Sequence, residues 1–352
     1  MSTHLRESAA LCDGMGSPFT ARLLERMVED LEAGGPVADL VGDWQGPPRA
    51  DAVAMRLTSA LHFAVLAGRD LALAAEYPMA RPEWRMDMTW PVARAFLARE
   101  HTWVVDFLRS PPQTNEPRRS IALLPGFLEL AQAWDLPIDT LELGASAGLN
   151  LNWDQFVYRT ADWTWNEGRS DVIIETDWRG APPSLTVAPR IRACAGCDQS
   201  PLDVADLAQR MRLRSYVWAD QADRLARFDV AADLAVAQGV RVERADAGRW
   251  VVDKLAGRAR DAATVVYHSV FLQYPTSETR AAIRSAIEQA GAKATSAAPL
   301  AWLRLEPEAI FGGPRDSVRF FVDLVMWPGG ERRLLAETDG HARWVKPVVR
   351  AD

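Results

Sequence analysis

The 352-residue sequence predicts an α/β fold: a mostly parallel sheet with an antiparallel C-terminal hairpin, preceded by an all-helical region. Three observations carry that expectation. Up to about residue 135, apolar residues recur at helical spacing and no convincing strand interrupts them. Beyond it, short β-rich runs alternate with helical stretches, the pattern of parallel strands joined by right-handed crossovers. The last two of those runs, taken with "PGGERRLL" (328–335), read as a terminal antiparallel hairpin. The expected division is a helical domain over 1–135 and a sheet domain over 136–352.

In the first half, "SPFTARLLERMVEDLEAGG" (17–35) has Ser17 or Thr20 as start signals and a Gly-Gly stop. "ADAVAMRLTSALHFAVLAG" (50–68) is a second helix, too apolar to be solvated on every side. "WPVARAFLAREHTWVVDFLRS" (90–110) is a third, ended by Pro111 and Pro112. "RRSIALLPGFLELAQAWDLP" (118–137) is a fourth, with Pro125 as the place for a bend.

In the second half, "IDTLELG" (138–144) is the first strand and "LTVAPRIRACAGCD" (185–198) contains the second. The helix "DQADRLARFDVAADLAVAQG" (220–239) has Asp220 near its cap and Gly239 at its stop. The runs "VRVERADA" (240–247), "ATVVYHSV" (263–270), "APLAWLRLE" (298–306) and "VRFFVDLVMW" (318–327) follow. Between the first two strands lies a Trp-rich insertion at about 156–180. The alternation of Tyr158, Trp163 and Trp165, with the turn-like "NEGRSD", predicts a hairpin that serves as a structural flap or roofs a pocket.

Composition narrows the functions. Hydrophobic content of 48% with 25% charged residues is that of a soluble globular protein. A net charge of −7 argues against broad nucleic-acid or anionic-membrane binding, both of which need a basic face. The N-terminus has no apolar signal core and no run reaches a membrane-spanning length, so a cytoplasmic protein is expected. Three cysteines make no disulfide framework. "CAGC" (194–197) lacks the second pair a structural zinc usually needs, so no metal is expected; a redox pair competes with two ordinary small residues beside a strand.

"TLELGASAGLNLNWDQF" (140–156) poses the functional question, because a strand, a small-residue turn and a helix suit both a serine nucleophile elbow and a cofactor loop. An elbow normally follows several strands of the sheet, whereas this turn follows the first. Glu142-x-Gly144-x-Ser146-x-Gly148 resembles motif I of class I S-adenosylmethionine-dependent methyltransferases, with Ser146 in place of the middle glycine. A dinucleotide fingerprint would need glycine at 149, where Leu149 stands. "QTNEPRRS" (113–120), "LELGASAGLNLNWD" (141–154), "GCDQSPLDV" (196–204), "VWADQADR" (217–224) and "VVYHSV" (265–270) together resemble the bacterial family catalogued as domain of unknown function 2332. That family's likeness to methyltransferase-type Rossmann folds supports the cofactor reading and brings no activity with it.

On this reading Glu142, Gly144, Ala145, Ser146, Gly148 and Asn150 line the cofactor loop. Asp198, after the second strand, would accept ribose hydroxyls, and Asp246, after the third, would approach the adenine amino group. For both acids a turn or helix cap is the competing reading. His268, at the end of the fourth strand, is the candidate base, since imidazole titrates near neutrality. Gln113, Asn115, Glu116 and Arg119 would bind the small-molecule substrate; against that, Thr114 or Asn115 caps the next helix. The absence of an Asn-Pro-Pro-Tyr type motif after the fourth strand argues against nucleobase amines and glutamine as methyl acceptors. Expected, then, is an S-adenosylmethionine-dependent methyltransferase. The alternatives are a degenerate ligand-binding relative, or a serine hydrolase using Ser146.

Overall fold

The computed structural model describes residues 1–314 and 317–348. They form two compact units, one of 1–114 with 205–229 and one of 115–204 with the chain from 230 onward. The helices are α1 (Ser2–Gly14), α2 (Pro18–Glu32), α3 (Pro36–Val41), α4 (Val53–Leu66), α5 (Leu71–Ala75), α6 (Met86–Arg99), α7 (His101–Leu108), α8 (Arg119–Trp134), α9 (Leu207–Ser215), α10 (Ala222–Ala237), α11 (Ala247–Ala256) and α12 (Ser277–Gly291). The strands are β1 (Ile138–Leu143), β2 (Val157–Arg159), β3 (Thr164–Trp165), β4 (Ile173–Glu175), β5 (Asp177–Trp178), β6 (Ile191–Asp198), β7 (Glu243–Arg244), β8 (Ala263–Ser269), β9 (Leu300–Pro307), β10 (Phe320–Trp327), β11 (Glu331–Thr338) and β12 (Trp344–Pro347).

The first unit is helical. In α2 the apolar stripe of Phe19, Leu23, Leu24 and Met27 is buried, and the Phe19 ring meets Tyr77 and Trp84 edge-on at 5.0 and 5.3 Å. Pro18 sits in the first turn, where a missing N–H leaves no bond unmade. The start of α2 is closed from far along the chain. Ser17 Oγ donates to Asp220 Oδ1 at 2.5 Å, and the Phe19 N–H donates to Asp220 Oδ2 at 2.9 Å. The stretch 90–110 forms two helices rather than one, because Glu100 leaves helical geometry between α6 and α7.

The second unit holds a nine-stranded sheet in the order β5-β12-β11-β10-β9-β8-β1-β6-β7. Its five strands β7-β6-β1-β8-β9 are parallel, and in chain order they read third, second, first, fourth, fifth. β9 through β12 then run antiparallel, extending the expected hairpin, and β5 pairs parallel with β12 at the outer edge. One face of the sheet packs on α8, which belongs to this compact unit although the helical region is expected to run to residue 135. A Cβ at Gly126 would lie 2.5 Å from Leu303, so the helix approaches the strand where it has no side chain. α8 runs through Pro125 as one helix. The other face buries Leu141, Leu143, Val266, Leu300 and Trp302 against Trp250 and Val251 of α11 and Ile283 and Ile287 of α12.

The insertion forms a small sheet in the order β3-β2-β4, with Tyr158 opposite Trp165 across the antiparallel β2–β3 pair. The hairpin turn spans Thr160 to Trp163; "NEGRSD" instead connects β3 to β4, which pairs parallel with β2. Cys194 and Cys197 are free. Three residues apart on β6, they point to opposite faces, and burial pushes the Cys197 thiol up to about 12. Among the described residues no helix is long and apolar enough to cross a membrane, and no cluster of His, Cys, Asp or Glu is arranged to hold a metal ion.

Candidate functional site

The carboxyl end of β1 lies where the strand order reverses, with β6 on one side and β8 on the other. In doubly wound sheets such a switch point leaves a crevice for ligands. β1 delivers the chain into Gly144–Gly148 and then a 3₁₀ helix, Leu149–Gln155. Gly144 (φ +69°), Ser146 (φ +53°) and Gly148 (φ +77°) all lie in the left-handed region, so the turn doubles back tightly. The side chain that fills the space beside each glycine comes from the protein itself. A Cβ at Gly144 would lie 2.3 Å from the Phe271 ring, and one at Gly148 would lie 2.6 Å from Val240.

Asp198, at the end of β6, ties this turn down. Its Oδ2 accepts the Ser146 N–H at 3.0 Å and its Oδ1 the Ser200 N–H at 2.9 Å. The Ala145 N–H donates to the Cys197 carbonyl. Asn115 Oδ1 accepts the Leu149 N–H at 2.9 Å, satisfying a donor at the start of the 3₁₀ helix, and Asn150 Nδ2 donates to the Glu116 carbonyl at 3.4 Å. The "QTNE" stretch therefore reaches the loop through Asn115 and Glu116. Arg119 donates instead to the Gly340 carbonyl at 2.9 Å, Gln113 belongs to the first unit, and Asp246 caps α11 by accepting the Arg249 N–H.

Beneath the loop, on the α8 face, Glu142 is buried beside Tyr267, whose O–H is shared between Glu142 Oε2 at 3.3 Å and the Asn150 carbonyl at 3.1 Å. Burial pushes the Glu142 carboxyl up to about 8; the Tyr267 hydrogen bond opposes that rise and the Asp198 charge adds to it. Asn150 Oδ1 and Asn152 Nδ2, in the 3₁₀ helix that follows the turn, are buried with no protein partner.

His268 lies on the opposite face from Tyr267, fully buried. Trp302 Nε1–H donates to His268 Nε2 at 3.1 Å; an indole only donates, so Nε2 accepts and Nδ1 carries the proton to Glu306 Oε1 at 2.6 Å. The same Glu306 oxygen accepts the Phe271 and Leu272 N–H groups at 2.8 and 3.0 Å, while Oε2 has no partner. Glu306 thus fixes the segment whose Phe271 ring stands against Gly144. Trp302, Glu306 and Phe271 were not legible as site residues. The one signal was a carboxylate closing the apolar run "APLAWLRLE".

A family profile described as an uncharacterized protein conserved in bacteria (DUF2332) matches residues 2–346, and the chain belongs to that family. No curated protein and no solved structure matches it.

Proposed function

We propose that this member of a bacterial family is an S-adenosylmethionine-dependent methyltransferase acting on a small molecule. The observation that carries the reading is the strand order third-second-first-fourth-fifth with a left-handed glycine turn at its switch point and an aspartate at the end of the second strand. The donor set suits a nucleoside cofactor. A carboxylate at the end of β6, as Asp198 is, is the acceptor type that ribose hydroxyls call for. Glu142, Asn150 and the backbone of Gly144, Ala145, Ser146 and Gly148 would form the floor, with Asp246 on the adenine side. Phe271 would have to slide off Gly144 or become the wall the cofactor rests on.

Bound there, the cofactor would supply an electrophilic methyl group, and the chain's contribution would be chiefly orientation and exclusion of water. In the arrangement described, His268 holds Glu306 and offers no free ring nitrogen, so service as a base requires Trp302 to release Nε2. Asn115, Glu116 and Arg119 remain the polar candidates for the acceptor side. We place the protein in the cytoplasm, which suits unpaired cysteines. The committed nitrogens of His268 and the ring over Gly144 favour one other reading, a binding protein that retains the nucleoside site without transfer.

Calorimetric titration with S-adenosylmethionine and S-adenosylhomocysteine tests both. At 100 times the dissociation constant, ligand should raise stability by about 2.7 kcal/mol. Ser146→Ala should keep affinity within about tenfold, the loss of one ordinary hydrogen bond. A flat titration to millimolar ligand refutes the site. Binding without S-adenosylhomocysteine release from any acceptor mixture selects the binding protein. Stoichiometric fluorophosphonate labelling of Ser146 would replace both readings with a hydrolase.

A further inference from the structure

The antiparallel end of the sheet carries a cavity that the methyl-transfer reading does not use. It measures about 360 Å³ and lies on the α12 face, between Arg284 of α12, Trp302 and Arg304 of β9, Phe311, Trp327 of β10 and Arg332 of β11. A depression of about 320 Å³ adjoins it, sharing Phe311 and Arg332. The volumes are in the range of small-molecule sites.

We infer that this cavity binds a small organic anion with a flat apolar body. Arg304 is 6% exposed, and its Nε and Nη2 grip Asp323, the Nε bond at 2.6 Å, with Asp323 itself 1% exposed. A buried ion pair is a weak source of stability, since an apolar pair of similar volume serves a fold as well or better. What this one does achieve is rigidity. The guanidinium lies 4.1 Å from the Trp302 ring centre and 5.3 Å from that of Phe311, with one edge clamped by carboxylate. The Nη1 edge is left for a ligand, and a planar guanidinium edge matches a carboxylate or a phosphate.

Charge points the same way. Asp323 also takes Arg332 Nε at 2.6 Å, so one carboxylate serves two guanidinium groups. Arg284 is exposed on α12 and joins no ion pair among the described residues, although Glu288 lies one turn on. The cavity's lining has three arginines against one carboxylate, Glu288. Adding Asp323 behind it still leaves an excess positive charge in a chain whose net charge is −7; Glu308 lies in the adjoining depression. The aromatic walls, Trp302, Phe311 and Trp327, suit a flat apolar body beside the anionic head.

The test uses the full chain titrated with benzoate, phenyl phosphate and benzyl alcohol, followed calorimetrically and by the indole N–H resonances of Trp302 and Trp327. Expected is saturable binding of one or both anions, weakened by salt, with the neutral alcohol at least tenfold weaker. Whichever of benzoate and phenyl phosphate binds more tightly identifies the head group. Arg284→Ala, an exposed change, should weaken the anion about tenfold. Should Arg304→Ala fail to fold, the paired change Arg304→Met with Asp323→Leu removes the clamp, leaving only the half-exposed Arg332 without its carboxylate, and should abolish binding. No saturable binding of either anion overturns the inference, as does equal binding of the alcohol, or affinity unchanged in both variants. S-adenosylmethionine titrations of the same variants keep failure here distinct from failure of the methyl-transfer reading.

Discussion

Replacing Glu142 by glutamine should stabilise the protein at alkaline pH and change little in acid. The side chain is buried under the glycine turn, facing Tyr267 from β8 and, across the sheet end, the charge of Asp198. Its carboxyl titrates at about 8 in the fold against 4.5 when solvated. Between those values the native state holds a proton that the unfolded chain has released, so stability falls as pH rises through the window and is fully retained below it. Each tenfold in proton affinity is worth about 1.4 kcal/mol, which caps the penalty for ionising Glu142 at about 5 kcal/mol; water reaching the site would bring it nearer to 2–3 kcal/mol. Glutamine keeps the shape and still accepts the Tyr267 O–H, but has no proton to lose. Urea unfolding midpoints of wild type and Glu142→Gln, compared near pH 5 and near pH 9, isolate the effect, because every other titrating group is common to both. If the two proteins lose stability equally between those pH values, Glu142 is not the buried neutral acid described.

Three further outcomes follow from the same geometry. Glu306→Leu strips the acceptor from His268 Nδ1–H and from the Phe271 and Leu272 amides; two buried donors and one part-buried donor left unpaired should cost about 3 kcal/mol in urea unfolding. A loss under 1 kcal/mol would mean those bonds are not made. Asp220→Ala removes both acceptors at the start of α2 and should cost about 1–2 kcal/mol, with hydrogen exchange rising first in that helix. Gly148→Ala and Gly168→Ala both force alanine to positive φ, at roughly 1 kcal/mol each, but only residue 148 also meets a neighbour, Val240 at 2.6 Å. Gly148→Ala should therefore show the larger loss in thermal unfolding, and equal losses would refute the crowding.

The long elements were legible because burial leaves a periodic trace. The buried runs at 138–144, 263–270 and 298–306 became β1, β8 and β9, and the stripes at 17–35 and 50–68 became α2 and α4. Short elements left too little pattern: β7 has two residues and hangs on a few ladder bonds to β6. The glycine turn could be placed, but not what surrounds it. That Gly148 is packed by Val240, or that Glu306 answers to His268, depends on pairings of residues tens of positions apart, which no local spacing records. Asp220 is the clearest case. Its local sequence suggests the cap of α10, and its carboxylate closes α2, some two hundred residues earlier.

That remote cap bears on how the chain is born. Residues 1–114 leave the ribosome with their compact unit still lacking 205–229, and the whole of 115–204 must be made before the missing piece arrives. At roughly 5–20 residues per second, the helices wait about 5 to 18 seconds with Phe19 and its neighbours unsealed and the first turn of α2 uncapped. During synthesis the early helices therefore form a docking platform that stays open while β1 and β6 are still emerging. A ribosome stalled shortly before residue 205 should hold this unit protease-sensitive, and one stalled past residue 229, with enough further chain to fill the exit tunnel, should hold it protected.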